Sequence, residues 1–468
     1  VLTTEVFRRR NAISNHQEIK KEMNDLIMQH LQRLEKITGQ EFGNSENPLL
    51  LSVRSGTAIS MPGAMDTFLN VGLNDEVTEG LSKKHNFGWT SWDCYRRFLQ
   101  SWGMANGISR DVFDDIMRTY KKRHDVDLKM YFKPETMKEI AMAYRKALDD
   151  HQVYFEQNPI KQLEYTINCV FDSWDSDRAK VYRKHMNIAN DWGTAVIVQK
   201  MILGNLNYTS GTGVVFTQNP HRQRPGVHLY GDFKLCSQGE DIVAGLVTPL
   251  PVGETQRQYQ QIEGESLQTK LPEIYKRIHK IAVEMTEKHG YSPQEIEFTF
   301  ESENPDDLYI LQTRDQDFNQ PAKINVFSHS SHQMKLVGRG IGIGGSAMNG
   351  IVAIDNNDLI ALNKNFPGEK LILVRPDTVP DDIGMIFECD GLLTAKGGAT
   401  SHAAVTAVRL GKTCVVNCTD MVVNDILKEC VINEFVFKPG DKIAIDGYNG
   451  NIFKGHYPIE TTEIRTML

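Results

Sequence analysis

Thr400, Ser401 and His402 follow a Gly397-Gly398 pair in the stretch GLLTAKGGATSHAAVTAVRLGKTCVV, residues 391–416. An apolar run ends at the Gly-Gly turn and an alanine-rich helical run begins after it. Thr400 or Ser401 can cap that helix, which leaves His402 in its first turn. Free N–H groups and a partial positive charge at a helix N-terminus suit a phosphate group. The same field disfavours an imidazolium, so the ring stays neutral and keeps a nucleophilic lone pair. The two glycines let the backbone come close to a bulky ligand. This pattern suits phosphoryl transfer to an imidazole. On the residues alone, a histidine simply buried at a strand-to-helix turn fits equally well.

Other candidates need the same weighing. Arg54 sits where the apolar run LLLSV turns into a loop rich in Gly, Ser and Pro. A guanidinium there can clamp phosphate oxygens bidentately, or make a loop salt bridge. IEFTFE (296–301) and LYILQTR (308–314) read as a hairpin across the acidic loop SENPDD. Its alternating charges fit an exposed hairpin as well as a site. His329 and His332 have helical spacing but lie in a polar, irregular stretch and read as solvated linker residues. GIGIGG at 340–345 fits G-x-G-x-x-G, yet a strand, IVAI, follows where a dinucleotide site needs a helix. Gly411-Lys412-Thr413 resembles the end of a P-loop, but Thr406 stands where the required earlier glycine belongs.

These residues must be positioned by ordinary soluble architecture. A chain of 468 residues suggests about three domains. Its 40% hydrophobic and 24% charged content is that of a globular protein, and a net charge of -8 argues against nucleic-acid binding. The seven cysteines form no C-x-x-C pair or disulfide framework, which fits a reducing, cytoplasmic setting and argues against zinc, since the sequence shows no paired ligand clusters. No apolar run approaches the ~18 residues of a membrane span.

The periodicity predicts one amphipathic helix over 14–39, with a capping box at Ser14 and Gln17 and a stop at Gly39. Residues 90–190 read as helical and charged, and VIVQKMILG and TGVVFTQNP as strands. Another helix spans 271–290, the stretch 315–336 reads as an irregular linker, and 337–456 alternates short strands with short helices.

GGATSHAAVTAVRLG strongly resembles the phosphohistidine motif of the PEP-utilising enzymes, and VRPDTVPDDIGM (Thr378, Pro380, Asp382) resembles the segment before it. SVRSGTAISMPGAMDTFLNVGLND, WGTAVIVQKMILGN, SGTGVVFTQNP, QGEDIVAG, IEFTFE and LQTR are similar, in order, to the pyruvate phosphate dikinase branch of that family. The resemblance covers most of the chain. It implies an α/β (α+β) protein, with an ATP-grasp-like nucleotide-binding domain over 1–314 that holds a helical subdomain at about 90–190. A linker at 315–336 and a swivelling β/β/α phosphohistidine domain over 337–468 would follow.

By position, the resemblance makes His402 the catalytic residue, and Arg54, Glu295, Glu297, Gln312 and Arg314 nucleotide-binding residues. Glu297 and Gln312 would also serve the metal end, with Mg²⁺ as the cofactor, and Thr400 matches a regulatory phosphorylation position. ATP and phosphate are the implied partners. Pyruvate and PEP would be reached through a barrel domain that is missing or separate, and a homodimer stays open. The implied reaction runs from ATP, pyruvate and phosphate to AMP, PEP and diphosphate.

Some positions depart from the family. No Gly-Gly-Lys-Gly loop with its ATP-contacting lysine is found before Arg54, so the chain is expected to start inside the nucleotide module and to stop after the histidine domain. The linker is shorter than in relatives. Gln218 replaces an arginine, Asp232 a glutamate and Glu295 an aspartate, and the family's Ala-Arg pair is Ala407-Val408 with Arg409 one place later. That shift rotates the side chain by about 100° on a helix. Two alternatives follow: a degenerate, non-catalytic nucleotide-binding or regulatory homologue, or a phosphotransferase with a different acceptor, as in rifampin phosphotransferases.

Overall fold

The computed structural model describes residues 1–463 except 60, 62, 221–224, 244, 246, 317–322, 329–332 and 379–381. His329, His332 and Pro380 therefore lie outside the described residues. The chain divides into two compact units, Val1–Ile202 and Leu203–Leu468. The mixed α/β character expected from sequence is what is found.

The first unit opens with α1 (Thr4–Asn15) and α2 (Gln17–Thr38). This corrects the single helix expected from Ser14: Ser14 lies inside α1, and no side chain caps α2. The break is the extended backbone of His16 (φ -117, ψ 108), which neither Gly nor Pro announces. The helix stop is as expected, with Gly39 left-handed at φ 66. Strands β1 (Leu51–Gly56) and β2 (Thr67–Val71) come next.

Six helices then run consecutively: α3 (Asp75–Ser82), α4 (Gly88–Ala105), α5 (Arg110–His124), α6 (Pro134–Asp150), α7 (Pro159–Asp172) and α8 (Asp177–His185). Strand β3 (Ala195–Lys200) returns to complete an antiparallel sheet in the order β2-β1-β3. On α4, Asp93 is wholly buried. Its carboxylate accepts from Arg96 at 2.6 Å and Arg97 at 3.0 Å, and the Lys129 Nζ is 3.8 Å away.

The second unit contains two larger sheets. Strands β4 (Gly211–Phe216) and β5 (Tyr230–Leu235) are followed by α9 (Gly239–Val243), β6 (Leu250–Pro251), α10 (Glu254–Gln260), α11 (Leu267–Lys270) and α12 (Pro272–Val283). A hairpin of β7 (Gln294–Phe300) and β8 (Leu308–Asp315) completes an antiparallel sheet in the order β6-β5-β4-β7-β8. One face packs Val215, Phe233, Ile296 and Phe298 against Ile274 and Ile278 of α12. Alternation along the strands sends Asp232, Glu295 and Glu297 to the opposite face.

Further on, β9 (Lys323–Phe327) lies in the stretch read as irregular. Its partner is a strand more than 130 residues later, β21 (Ile459–Glu463), a pairing that local pattern cannot show. Between them come β10 (Leu336–Arg339), β11 (Ile341–Ile343), β12 (Ala347–Ala353), α13 (Asn356–Asn365), β13 (Leu371–Arg375), α14 (Ile383–Glu388), β14 (Gly391–Thr394), α15 (His402–Arg409) and β15 (Thr413–Val416). Strands β16 (Met421–Asn424), β17 (Glu429–Ile432), β18 (Phe435–Phe437), β19 (Lys442–Asp446) and β20 (Asn451–Lys454) follow.

The second large sheet runs β10-β20-β19-β12-β13-β14-β15-β11, with β12 to β15 parallel. One face buries Ile351, Leu373 and Leu392 against α13, α14 and α15. The other buries Val352, Ile372 and Val415 against Cys430, Ile432 and Phe437 of the small β16-β17-β18 sheet. Three layers result, with the helix that begins at His402 on the α side.

Candidate functional site

Register aligns the acidic residues of the five-stranded sheet. Asp232 faces Val214, Val214 faces Glu297, and Glu297 faces Gln312, so one row crosses β5, β4, β7 and β8. The neighbouring row is Tyr230, Phe216, Glu295 and Arg314. A bulge interrupts the hairpin directly after Glu297, where Phe298 skips to Ile310. Such bulges re-aim side chains at functional positions.

Glu295 and Arg314 face each other across the hairpin and form a bidentate ion pair: Arg314 Nε donates at 2.8 Å, and an Nη closes the second bond. The longer glutamate thus occupies one edge of the guanidinium. Arg54 lies in the first unit on β1, opposite Thr67 and Ile197, and donates to Gln199 Oε1 at 2.9 Å.

α15 is held against this sheet by its N-terminal turn. The Thr400 backbone N–H and hydroxyl both donate to Asp232 Oδ2 at 2.8 Å. Ser401 is the residue that caps the helix, its hydroxyl accepting from Ala404 N–H at 3.4 Å. Gly398 permits the approach, since a Cβ there would sit 2.3 Å from Asp232 Oδ2 and 2.5 Å from Pro249. Apolar packing continues the contact, with Phe216 and Tyr230 sharing one core with Ala399, Ala403 and Ala407. The role of Asp232 was not legible beforehand: it stood out only as a shortened acid, and its partner is 168 positions away.

His402 is 2% exposed, and among the described residues neither ring nitrogen has a hydrogen-bond partner. Burial pushes its pKa down to about 4, so the ring is neutral at neutral pH. Burial pushes Asp232 the other way, up to about 6, against the lowering effect of the bonds from Thr400 and the Ala399 backbone. Buried polar atoms without partners are uncommon and call for an explanation. Here a neutral imidazole stands in the first turn of a helix, with its one ring lone pair and its one ring N–H both unspent among the described residues.

Other expected residues have structural positions. Lys412, of the P-loop look-alike, donates to the Ile386, Phe387 and Cys389 carbonyls at the end of α14. The GIGIGG segment holds β11 and a turn, and strand β12 follows it. Thr378 and Asp382 are buried, and Asp382 lies 3.9 Å from Arg375.

Among the described residues no group of three or more His, Cys, Asp or Glu could hold a metal ion. Glu297 and Gln312, paired across one row, offer hard oxygen donors. That donor set fits Mg²⁺, which is usually bound by one or two carboxylates, substrate phosphates and water.

Residues 4–277 match the family described as pyruvate phosphate dikinase, AMP/ATP-binding domain, and residues 366–450 match the PEP-utilising enzyme, mobile domain. The chain belongs to the pyruvate phosphate dikinase family of PEP-utilising enzymes. It is 35% identical to pyruvate, phosphate dikinase of Clostridium symbiosum over 95% of this chain and 52% of that protein. The Rickettsia typhi enzyme gives 35% over the same shares, 95% and 52%. The chloroplastic enzyme of Flaveria trinervia gives 36% over 92% of this chain and 47% of that protein. The chain thus spans about half the length of these relatives.

In pyruvate phosphate dikinase terms, Arg54 and Asp232 fall in the AMP/ATP-binding match, and Thr400 and His402 in the mobile-domain match. Glu295, Glu297, Gln312 and Arg314 lie between the two matches. Among the described residues, no helix is long and apolar enough to cross a membrane.

Proposed function

We propose that this chain performs ATP-dependent phosphotransfer onto His402, the ATP and phosphohistidine part of a pyruvate phosphate dikinase reaction. The observation that carries the proposal is the buried, neutral His402, both nitrogens unpartnered among the described residues, docked through Thr400 beside the Asp232–Glu297–Gln312 row. Family membership supports the same reading.

In this proposal a lone pair of His402 attacks the β-phosphorus of ATP. The N–P bond forms as the bridging O–P bond to the α-phosphate breaks, and AMP leaves with the electron pair. Inorganic phosphate then takes the terminal phosphoryl group as diphosphate. The phosphohistidine that remains would pass its group to pyruvate, giving PEP.

Arg54 and Arg314 would contact phosphate oxygens, with Glu295 fixing the plane of Arg314. Glu297 and Gln312 would hold Mg²⁺, which supplies charge neutralisation on the phosphates when bound. The ATP-grasp reading of residues 1–314, the linker at 315–336 and the mobile domain at 337–468 belong to the same proposal. Thr400 is proposed as a regulatory position. A phosphate on its hydroxyl would lose the bond to Asp232 and place like charges together.

The test is incubation with Mg²⁺ and ATP labelled at the β-phosphorus. Acid-labile, base-stable label is expected on the wild type and none on His402→Ala. A folded protein that binds ATP yet takes no label would sink the proposal in favour of a non-catalytic homologue.

A further inference from the structure

We propose that the outer face of the small β16-β17-β18 sheet is an interface with a second copy of this chain, formed about a two-fold axis.

The two faces of this sheet are built from the same kind of residue, which is unusual for a sheet covered on one side. Met421, Cys430, Ile432 and Phe437 are buried against the eight-stranded sheet. Alternation sends the residues between them outward. On an antiparallel sheet packed on one face, the outward positions ordinarily carry polar residues. Here they carry Val422, Val431 and Val436. Val422 pairs with Val431 across β16 and β17, and Val431 pairs with Val436 across β17 and β18, so the three form one row. Val422 is 67% exposed and Val436 45%, with Val431 half-buried between them.

The turn that joins β16 to β17 adds to the apolar surface. Ile426 is 93% exposed and Leu427 62%. Their backbone N–H groups both donate to Asn424 Oδ1, at 3.1 and 3.0 Å. On one flank Asp425 accepts from Arg375 at 2.9 Å, and on the other Lys428 donates to Asp355. The turn is thus tethered on both sides, and a tethered turn loses little freedom when a partner meets it.

Single exposed valines need no explanation, because valine suits a strand. An aligned row of three beside a tethered aliphatic tip calls for a partner. These side chains expose on the order of 400 Å² of apolar surface, a size at which patches on soluble proteins are often functional. A stable dimer takes about 800 Å² from each partner, roughly two-thirds of it apolar in homodimers. One such patch on each of two copies supplies most of that apolar part.

Symmetry favours a second copy over a different protein. The row is centred on Val431, with one valine on each side. A two-fold axis along the row lays each valine on its own counterpart, the self-complementarity that a two-fold interface requires. The same axis places Glu429, at one end of β17, over the far end of that strand in the other copy, so the two glutamates do not meet. The face also lies on the opposite side of the eight-stranded sheet from α15, so pairing leaves the helix that carries His402 out of the interface.

Sedimentation of the full chain at micromolar concentrations tests this, with a wild-type dimer expected. Val422→Lys and Val422→Glu should each weaken the dimer at least about a hundredfold, because the axis sets like charges against each other in an apolar face. Mixed in equal parts, the two variants should dimerise again, since the axis then brings opposite charges together. That recovery would also show both variants to be folded. A wild type that stays monomeric overturns the inference and leaves the face to a different protein. A dimer indifferent to both substitutions overturns it as well, and a mixture that stays monomeric rules out this two-fold.

Discussion

Asp93 in the first unit and His402 in the second are both ionisable, both closed off from water, and treated in opposite ways. Burial would push the Asp93 carboxyl up, but Arg96, Arg97 and Lys129 hold it well below the ordinary carboxylate range. Each of its oxygens accepts an arginine bond. Among the described residues, His402 has no bond on either nitrogen, and burial sets its state. A buried group that only supports a fold is surrounded by partners, because an unmet one is destabilising. A buried group left without partners calls for another explanation, and the proposed phosphotransfer supplies one for His402.

The comparison predicts unequal responses to truncation. Asp93→Ala removes the carboxylate that both Arg96 and Arg97 bond, each 5% exposed, and should cost about 3–5 kcal/mol, read as a lower denaturant midpoint. His402→Ala strands nothing. It opens a cavity, and the midpoint should fall, though less than in Asp93→Ala, while label from ATP is abolished. A His402→Ala variant as destabilised as Asp93→Ala would erase the distinction.

Acidity sharpens it further. His402 has a lowered pKa in the fold, about 4, so its share of stability is lost as pH falls from its ordinary value through 4. Asp232 has a raised pKa, about 6, so its share is lost as pH rises from its ordinary value through 6. At roughly 1.4 kcal/mol per pKa unit, each amounts to about 3 kcal/mol. The two slopes oppose each other across the same window and largely cancel in the wild type. His402→Ala should expose a melting temperature that falls from pH 4 to 6. Asp232→Asn should expose one that falls from about pH 6.5 to 4.

A smaller effect is expected at the docking contact. Asp232→Ala leaves the buried Thr400 N–H and hydroxyl unpaired and should cost about 1–3 kcal/mol. Hydrogen exchange at the Thr400 amide should speed up. Protection equal to wild type would mean that the apolar packing of Phe216 and Tyr230 holds the helix by itself.

The smallest concerns the Glu295–Arg314 pair, which is partly exposed on the arginine side at 21%. Glu295→Gln should change stability by under about 1 kcal/mol. In the proposed function it should also weaken ATP binding by loosening the guanidinium. An affinity unchanged in titration calorimetry would remove Glu295 from the nucleotide site.

Much of this was readable along the chain because it is local. Alternating IEFTFE and LYILQTR around an acidic loop predict the β7–β8 hairpin, and Gly-Gly-Ala-Thr-Ser-His predicts a helix starting near His402. Gly39 marks the end of α2. The break at His16 was missed, since its extended backbone carries no Gly or Pro signal. The strand at 323–327 was missed because what makes it a strand is a partner at 459–463.

By itself the sequence determined which residue types can do chemistry, and the helix that puts His402 in its first turn. Only the tertiary structure decided which of Thr400 and Ser401 caps that helix. Both can, but Asp232 takes Thr400, and Ser401 is left to the Ala404 N–H. It also decided that Asp232, Glu297 and Gln312 share a row, because row membership depends on the strand order β5-β4-β7-β8. The state of His402, unpartnered among the described residues, was likewise decided there. Burial and the loss of partners are properties of packing between distant segments, and no local spacing encodes them.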